Sequence, residues 1–168
     1  MIMWHTLDLE TGGLKSSKDE IAELALLTIC GSQIIGIHHQ YYSVSEMSEK
    51  AMEVNHLSLV QLSGWPRFTD PENINQLRRL IKYPLFIHNA DFDMGFMIQK
   101  GVFRDHPSVD TLKLCRTSGK NLVDNKLQTW LKHYNLTNGT PHTALSDAFN
   151  LARLVMLLGW QVHALNVK

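Results

Sequence analysis

Ile21-Ala22-Glu23-Leu24-Ala25-Leu26-Leu27-Thr28-Ile29-Cys30-Gly31-Ser32-Gln33-Ile34-Ile35-Gly36-Ile37 is the stretch on which the fold turns. The run 21–29 is apolar enough to lie centrally in a sheet. Gly31-Ser32 then turns the chain into a second extended run, 33–42, in which Gly36 marks a candidate bulge. Upstream, residues 2–8 read as a strand closed by Thr11-Gly12-Gly13. Strands this closely spaced predict an antiparallel meander.

Past residue 43 the pattern changes to helices. Residues 57–63 and 73–82 are helical candidates, and 84–88 is a short apolar run that reads as a fourth strand. A helix is expected from about 91 to 100, a fifth strand at 108–111, and helices at 111–116, 126–134 and 143–158. In the last of these Ala144, Ala148, Leu151, Ala152 and Val155 recur at helical spacing. A meander followed by strand–helix alternation predicts an α/β domain with a mixed five-stranded sheet flanked by helices. With no internal repeat and no linker, a single domain spanning 1–168 is expected.

Lysine plus arginine equals aspartate plus glutamate at 16 each, so the formal charge is zero. That argues against a protein that holds nucleic acid purely by neutralising phosphates. An enzyme that meets the backbone through bound metal ions is compatible with it. Cys30 and Cys115 form neither a CxxC pair nor a disulfide framework, and the start of the chain has no leader pattern. A reducing cytoplasm is therefore expected. The most apolar stretch, 21–30, is interrupted by Glu23 and is too short to span a bilayer. Nine histidines show no HExxH or Cys/His ligand spacing.

Three places put an acid where a structural residue would be apolar. Asp8 and Glu10 flank Leu9 at the end of the first strand, so they share a face about 6–7 Å apart. Two like charges there repel unless a cation lies beside them, although a solvated strand end would also explain them. Asp93 shares a helical stripe with Phe96 and Met97, which is odd for an acid that merely favours the helix dipole. Asp147 heads the row Leu151, Leu154, Leu158, and would need a metal or an ion pair with Arg153 or Arg116. His142 stands in the loop just before that helix. Four hard oxygen donors and one imidazole suit Mg²⁺ or Mn²⁺ and two-metal displacement at phosphorus.

These residues resemble a known family. Asp8-Leu9-Glu10-Thr11-Gly12-Gly13, His88-Asn89-Ala90-Asp91-Phe92-Asp93 and His142-Thr143-Ala144-Leu145-Ser146-Asp147-Ala148 look like the three motifs of the DnaQ-like, DEDDh exonucleases, in order and in spacing. Ile21–Ala25, Asn55-His56-Leu57 and Val109-Asp110-Thr111-Leu112 resemble secondary marks of the group, and the wording of the third motif and of His88-Asn89-Ala90-Asp91-Phe92-Asp93 leans toward the proofreading branch of DNA polymerase III. The resemblance implies a ribonuclease H-like fold and a 3′→5′ exonuclease that releases nucleoside 5′-monophosphates. It implies that Asp8 bridges two cations, that Glu10, Asp93 and Asp147 complete their shell, and that His142 is the general base. Thr11, His56 and Phe92 would position the terminal sugar and base. Gly12 stands where the family more often has Thr, and Asp91 adds a charge expected to face solvent.

The substrate favoured by the resemblance is a single-stranded DNA 3′ end, with RNA or short oligoribonucleotides as the alternative. The proofreading branch carries a further tail that docks a polymerase, whereas the chain ends ten residues after Leu158. A free-standing exonuclease, or one docking through its folded surface, is expected. An inactive scaffold would lack one of the five catalytic residues, and all five are present. An endonuclease of the ribonuclease H type would not explain His142 or the second motif.

Overall fold

Alternation along the first strand decides which side chains meet which layer, and the computed structural model describes it within residues 1–167. Lys168, the last residue of the expected domain, lies outside the described residues. Strands β1 (Met3–Thr11), β2 (Ile21–Cys30), β3 (Gln33–Tyr41), β4 (Leu85–Ile87) and β5 (Ser108–Asp110) form one sheet in the order β3-β2-β1-β4-β5. The first three pair antiparallel, while β4 joins β1 and β5 joins β4 in parallel. The expected mixed five-stranded sheet is therefore present. Opposite Gly36 is Thr28, and opposite Ile34 is Ile29, so Ile35 is the extra residue of a bulge beside Gly36.

Seven helices follow: α1 (Glu49–Asn55), α2 (Leu59–Leu62), α3 (Pro71–Leu80), α4 (Ala90–Gln99), α5 (Thr111–Thr117), α6 (Leu127–His133) and α7 (Ala144–Leu157). A 3₁₀ turn at Trp160–Leu165 ends the described structure. Neither this turn nor α1 was among the predicted elements. The helix α1 is less than two turns long, too short for a periodicity, and owes its start to Ser48, whose hydroxyl accepts from Ala51 N at 3.1 Å. The segment predicted at 57–63 narrows to the single turn of α2 behind its Ser58 cap. The one predicted at 73–82 starts earlier, because Pro71 fits the first helical turn and Asp70 precedes it.

Helices cover both faces of the sheet. On one, the predicted stripe Ala144, Ala148, Leu151, Ala152 and Val155 of α7 is buried against Trp4, Ala25, Leu27 and Ile29, with Trp130 and Leu131 of α6 beside it. Thr6 ties strand to helix by donating from Oγ1 to the Ala148 carbonyl at 3.0 Å. The other face packs Leu7, Leu9, Leu24 and Leu26 against Ile74 and Leu77 of α3 and Met94, Phe96 and Met97 of α4. Small alanines in α7 and at position 25 allow helix and sheet to approach closely.

β1 runs three residues beyond its predicted end, because Leu9, Glu10 and Thr11 stay paired with β2 through a bulge between Glu10 and Thr11. Gly12 then passes under the segment leading to α1: its N–H donates to Glu20 O at 2.8 Å and its carbonyl accepts from Ser48 N at 2.9 Å. A Cβ at Gly12 would stand 2.6 Å from the Glu46 carbonyl oxygen. Glycine is required there by that close approach, whatever residue relatives carry. Gly12→Thr is expected to lower stability by about 1–3 kcal/mol, the usual cost of overpacking, as a reduced urea midpoint with an unchanged slope.

Candidate active site

The even-numbered side chains of β1 lie on the α7 face, and each has a cross-strand partner on β2. Trp4 faces Ile29 and Thr6 faces Leu27; then Asp8 faces Ala25 and Glu10 faces Glu23. The row thus changes from apolar to acidic along its length. Asp147 comes down onto it from the first turn of α7. Carboxylate oxygens of Asp8, Glu10 and Asp147 lie within 4.8 Å of one another. Asp93, in the first turn of α4, is buried against this group rather than inside it, and its Oδ1 accepts from Leu9 N at 3.1 Å. That bond anchors Asp93 to the strand between Asp8 and Glu10. Its stripe partners Phe96 and Met97 are buried, as their spacing predicted.

Asp147 is oriented by two donors. Gln128 Nε2 reaches its Oδ1 at 2.7 Å, and the His142 backbone N–H reaches its Oδ2 at 3.1 Å. Among the described residues no arginine pairs with it; Arg153 instead donates to the Leu136 carbonyl at 2.9 Å. His142 is exposed, adopts φ 60°, and lines an open cleft of about 610 Å³ with Asp8, Asn89, Lys126, Gln128 and Asp147. His88, also on this cleft, is a strut: its ring bridges Thr111 Oγ1 at 3.1 Å and the Asn125 carbonyl at 3.0 Å. Asp91 is exposed as expected and lies 3.6 Å from Lys113 Nζ. Gln128 was not singled out from sequence, since a polar residue on a short helix carries no signal of its target.

Burial and crowding act on these acids together. Desolvation raises the Asp8 carboxyl well above its ordinary range, and Asp93, Glu10, Asp147 and Glu23 push it further. Glu10 is pushed up to about 8, by desolvation first and then by Glu23, Asp147 and Asp93. Desolvation lifts Asp93 to about 8 against the pull of its backbone donors. Asp147 is raised by desolvation too, opposed by its bonds from His142 and Gln128. Among the described residues no lysine or arginine forms an ion pair with any of the four. Three converging hard oxygens without a cationic side chain fit a divalent cation, which removes the repulsion.

On the other side of Glu10 lies a smaller pocket of about 270 Å³. Its walls include Leu9, Thr11, Leu14, Val54, Asn55 and Phe92. Thr11 and Phe92 are brought together there, whereas His56 is left out. His56 is the exposed, left-handed cap of α1, and its neighbour Asn55 is the buried one, donating from Nδ2 to the Thr11 carbonyl at 2.9 Å. The acids therefore stand between an apolar pocket and an open polar cleft.

Residues 6–155 match the profile of the RNase T exonuclease family. The chain belongs to this DnaQ-like exonuclease family. Among its relatives are DNA polymerase III of the PolC type from Staphylococcus haemolyticus and from Staphylococcus aureus, each 28% identical over 168 residues and 95% of this chain. The chain spans only about an eighth of those relatives, 12% of their length. Exonuclease X, solved with 5′-overhanging duplex DNA, superposes with a TM-score of 0.71 at 21% identity, covering 92% of this chain and 90% of that one. Exonuclease I of Methylocaldum szegediense gives a TM-score of 0.80 at 14% identity over 99% of this chain and 42% of its own. A 3′-exonuclease that recognises a histone mRNA stem-loop gives 0.72 at 16% identity, over 93% and 63%. These structures bear out the ribonuclease H-like fold. No helix among the described residues is long and apolar enough to cross a membrane.

Two outcomes follow for an exonuclease site of this geometry. Glu10 and Asp93 bind protons more tightly folded than unfolded, so their contribution is full below about pH 4 and is lost as pH rises toward 8. In chelator the melting temperature is expected to fall between pH 5 and pH 8, and added Mg²⁺ to restore it most at the alkaline end. Scanning calorimetry across that range measures both. Gln128→Leu keeps bulk but removes the donor to Asp147; turnover about 10-fold lower is expected from the loosened carboxylate, with no comparable loss of melting temperature.

Proposed function

We propose that this exonuclease domain removes nucleotides from the 3′ ends of DNA, with Asp8, Glu10, Asp93 and Asp147 holding two divalent cations, Mg²⁺ or Mn²⁺. The observation that carries the reading is the convergence of Asp8, Glu10 and Asp147 oxygens within 4.8 Å, between the two cavities. When bound, such ions supply Lewis acidity, easing deprotonation of the attacking water and neutralising the departing oxygen.

The chain's own residues do the rest. Asp93, fixed to Leu9 N, and Asp147, fixed by Gln128 and the His142 backbone, hold their carboxylates in place. The terminal base enters the apolar pocket, where Leu9, Leu14, Val54 and Phe92 offer contact to any base face. Asn55 holds the Thr11 turn that borders it. This arrangement sets the end of a strand, rather than its middle, over the acids. His142 stands at the mouth of the cleft, where its imidazole takes the proton of the attacking water. Its exposure and its loop position let the ring swing toward the acids once a strand fills the cleft.

The choice of DNA rests on relatives named DNA polymerase III; the fold itself is shared with exonucleases solved with DNA and with one that recognises RNA. Those polymerase relatives favour work beside a polymerase in the cytoplasm over the free-standing role, and the two free cysteines suit a reducing compartment. A 5′-labelled single strand with Mg²⁺ should shorten stepwise from its 3′ end, faster than an RNA of the same sequence. Asp8→Ala and Asp147→Ala should each stop it, and full activity in excess chelator would exclude the two-cation account. His142→Ala should lose about 100-fold or more in rate, the usual share of a general base, while still binding Mn²⁺; unchanged turnover would exclude the base assignment.

A further inference from the structure

Glu23 lies within a secondary mark of the family but outside its three exonuclease motifs and outside the proposed ligand set. It interrupts the apolar strand β2, is only 1% exposed, and faces the α7 side directly opposite Glu10. Its Oε1 meets His39 Nε2 at 2.7 Å. Its Oε2 is buried and, among the described residues, has no hydrogen-bond partner. A buried carboxylate beside another one is strongly unfavourable unless each oxygen is used. An apolar side chain, like those at Ala22 and Leu24, would fill the position without that penalty. His39 satisfies one oxygen and, by doing so, fixes the plane of the other.

We infer that Glu23 is a fifth carboxylate of the cation site, a positioning residue whose Oε2 accepts from hydration water of the cation held on the Glu10 side. The inference rests on the cation site proposed above. Glu23 stands outside the group of three oxygens that converge within 4.8 Å and has one oxygen held by His39, so its remaining oxygen is assigned to the hydration water rather than to direct ligation. His39 and Glu23 then form a carboxylate–histidine relay running across the sheet, from β3 through β2 to the acids of β1. Such outer partners set how tightly a site holds its metal, and so what metal concentration the exonuclease needs.

The test is a Mn²⁺ titration of the chain read by the electron paramagnetic resonance signal of free Mn²⁺, alongside melting in chelator. Glu23→Gln keeps size and an acceptor oxygen but removes charge. The expected result is unchanged stoichiometry with a Kd raised about 10-fold, and a melting temperature in chelator no lower than wild type, because a like charge beside Glu10 is gone. A Kd within twofold of wild type, or a melting temperature that drops while affinity stays, overturns the inference in favour of a structural role. Should Glu23→Gln not fold, His39→Leu carries the test: severalfold weaker Mn²⁺ binding supports the relay, and unchanged binding overturns it. Asp147→Asn separates the two levels. If wild type binds no Mn²⁺, or Asp147→Asn binds it as wild type does, the cation site itself falls and Glu23's role with it.

Discussion

Repulsion between carboxylates that the fold forces together is the constraint on which the rest of this structure depends. Glu10 and Glu23 are directly opposed on neighbouring strands, Asp8 follows on the same face, and Asp147 is lowered onto them by a helix. None of these positions is favourable alone. The two apolar layers supply what offsets them: Trp4, Leu27, Ile29 and the alanine stripe of α7 on one side, Leu7, Leu9 and Phe96 on the other. The acids sit at the far end of the β1 row, Asp8 opposite Ala25 and Glu10 opposite Glu23, beyond Trp4 and Thr6. The divalent cation proposed above would convert the same crowding from a liability into a binding site.

Holding the acids apart in orientation, not only close in space, is the work of backbone donors. Leu9 N takes one oxygen of Asp93, and His142 N takes one of Asp147. Leu9 N is available because β4 pairs with β1 only at His5 and Thr6, and His142 N because its loop has left regular structure. Asn89 and His142, both on the open cleft, adopt left-handed backbone at φ 71° and φ 60°. Such conformations cost roughly 1–2 kcal/mol for a side-chain-bearing residue. Here each starts or precedes the helix that delivers an acid, α4 for Asp93 and α7 for Asp147. Strain of this kind is found where surrounding contacts over-determine the backbone. Around Asn89 those contacts are visible: its N–H donates to Asp110 Oδ1 at 3.2 Å, and Asp110 also caps α5.

What could be read from the chain, and what could not, follows the range of the interaction involved. Period-two alternation placed Asp8 and Glu10 on one face, and period-3.6 spacing put Asp93 with Phe96 and Met97, because both are local geometric rules. The apolar run of β2 and the alanine stripe of α7 were legible for the same reason. Glu23 was seen only as an interruption, since its significance lies in pairing with Glu10 thirteen positions earlier, and register is not local. Gln128 acts on Asp147 from a separate helix, which no spacing in the sequence connects. Asn55 and His56 are adjacent and both polar; only the left-handed cap of α1 decides that Asn55 turns inward. For His142 the sequence indicated proximity to Asp147, yet the contact runs through its backbone N–H rather than its ring.

Zero net charge poses a problem for a protein that must hold a polyanion, and the site resolves it. Lys50 and Lys126, which line the two cavities, pair with Glu53 and Asp124, and Lys113 pairs with Asp91 and Asp110. Apart from the one to the buried side chain of Asp110, these pairs are largely exposed and contribute little stability. On the two-cation reading, attraction for phosphate comes from the acids themselves once bound cations invert their sign. The apolar pocket beside Glu10, in its proposed role, needs no charge, because it would meet a base by its face. If the proposed cations and base pocket hold, a neutral exterior and a site that turns positive only when loaded would make strand binding and catalytic readiness the same event.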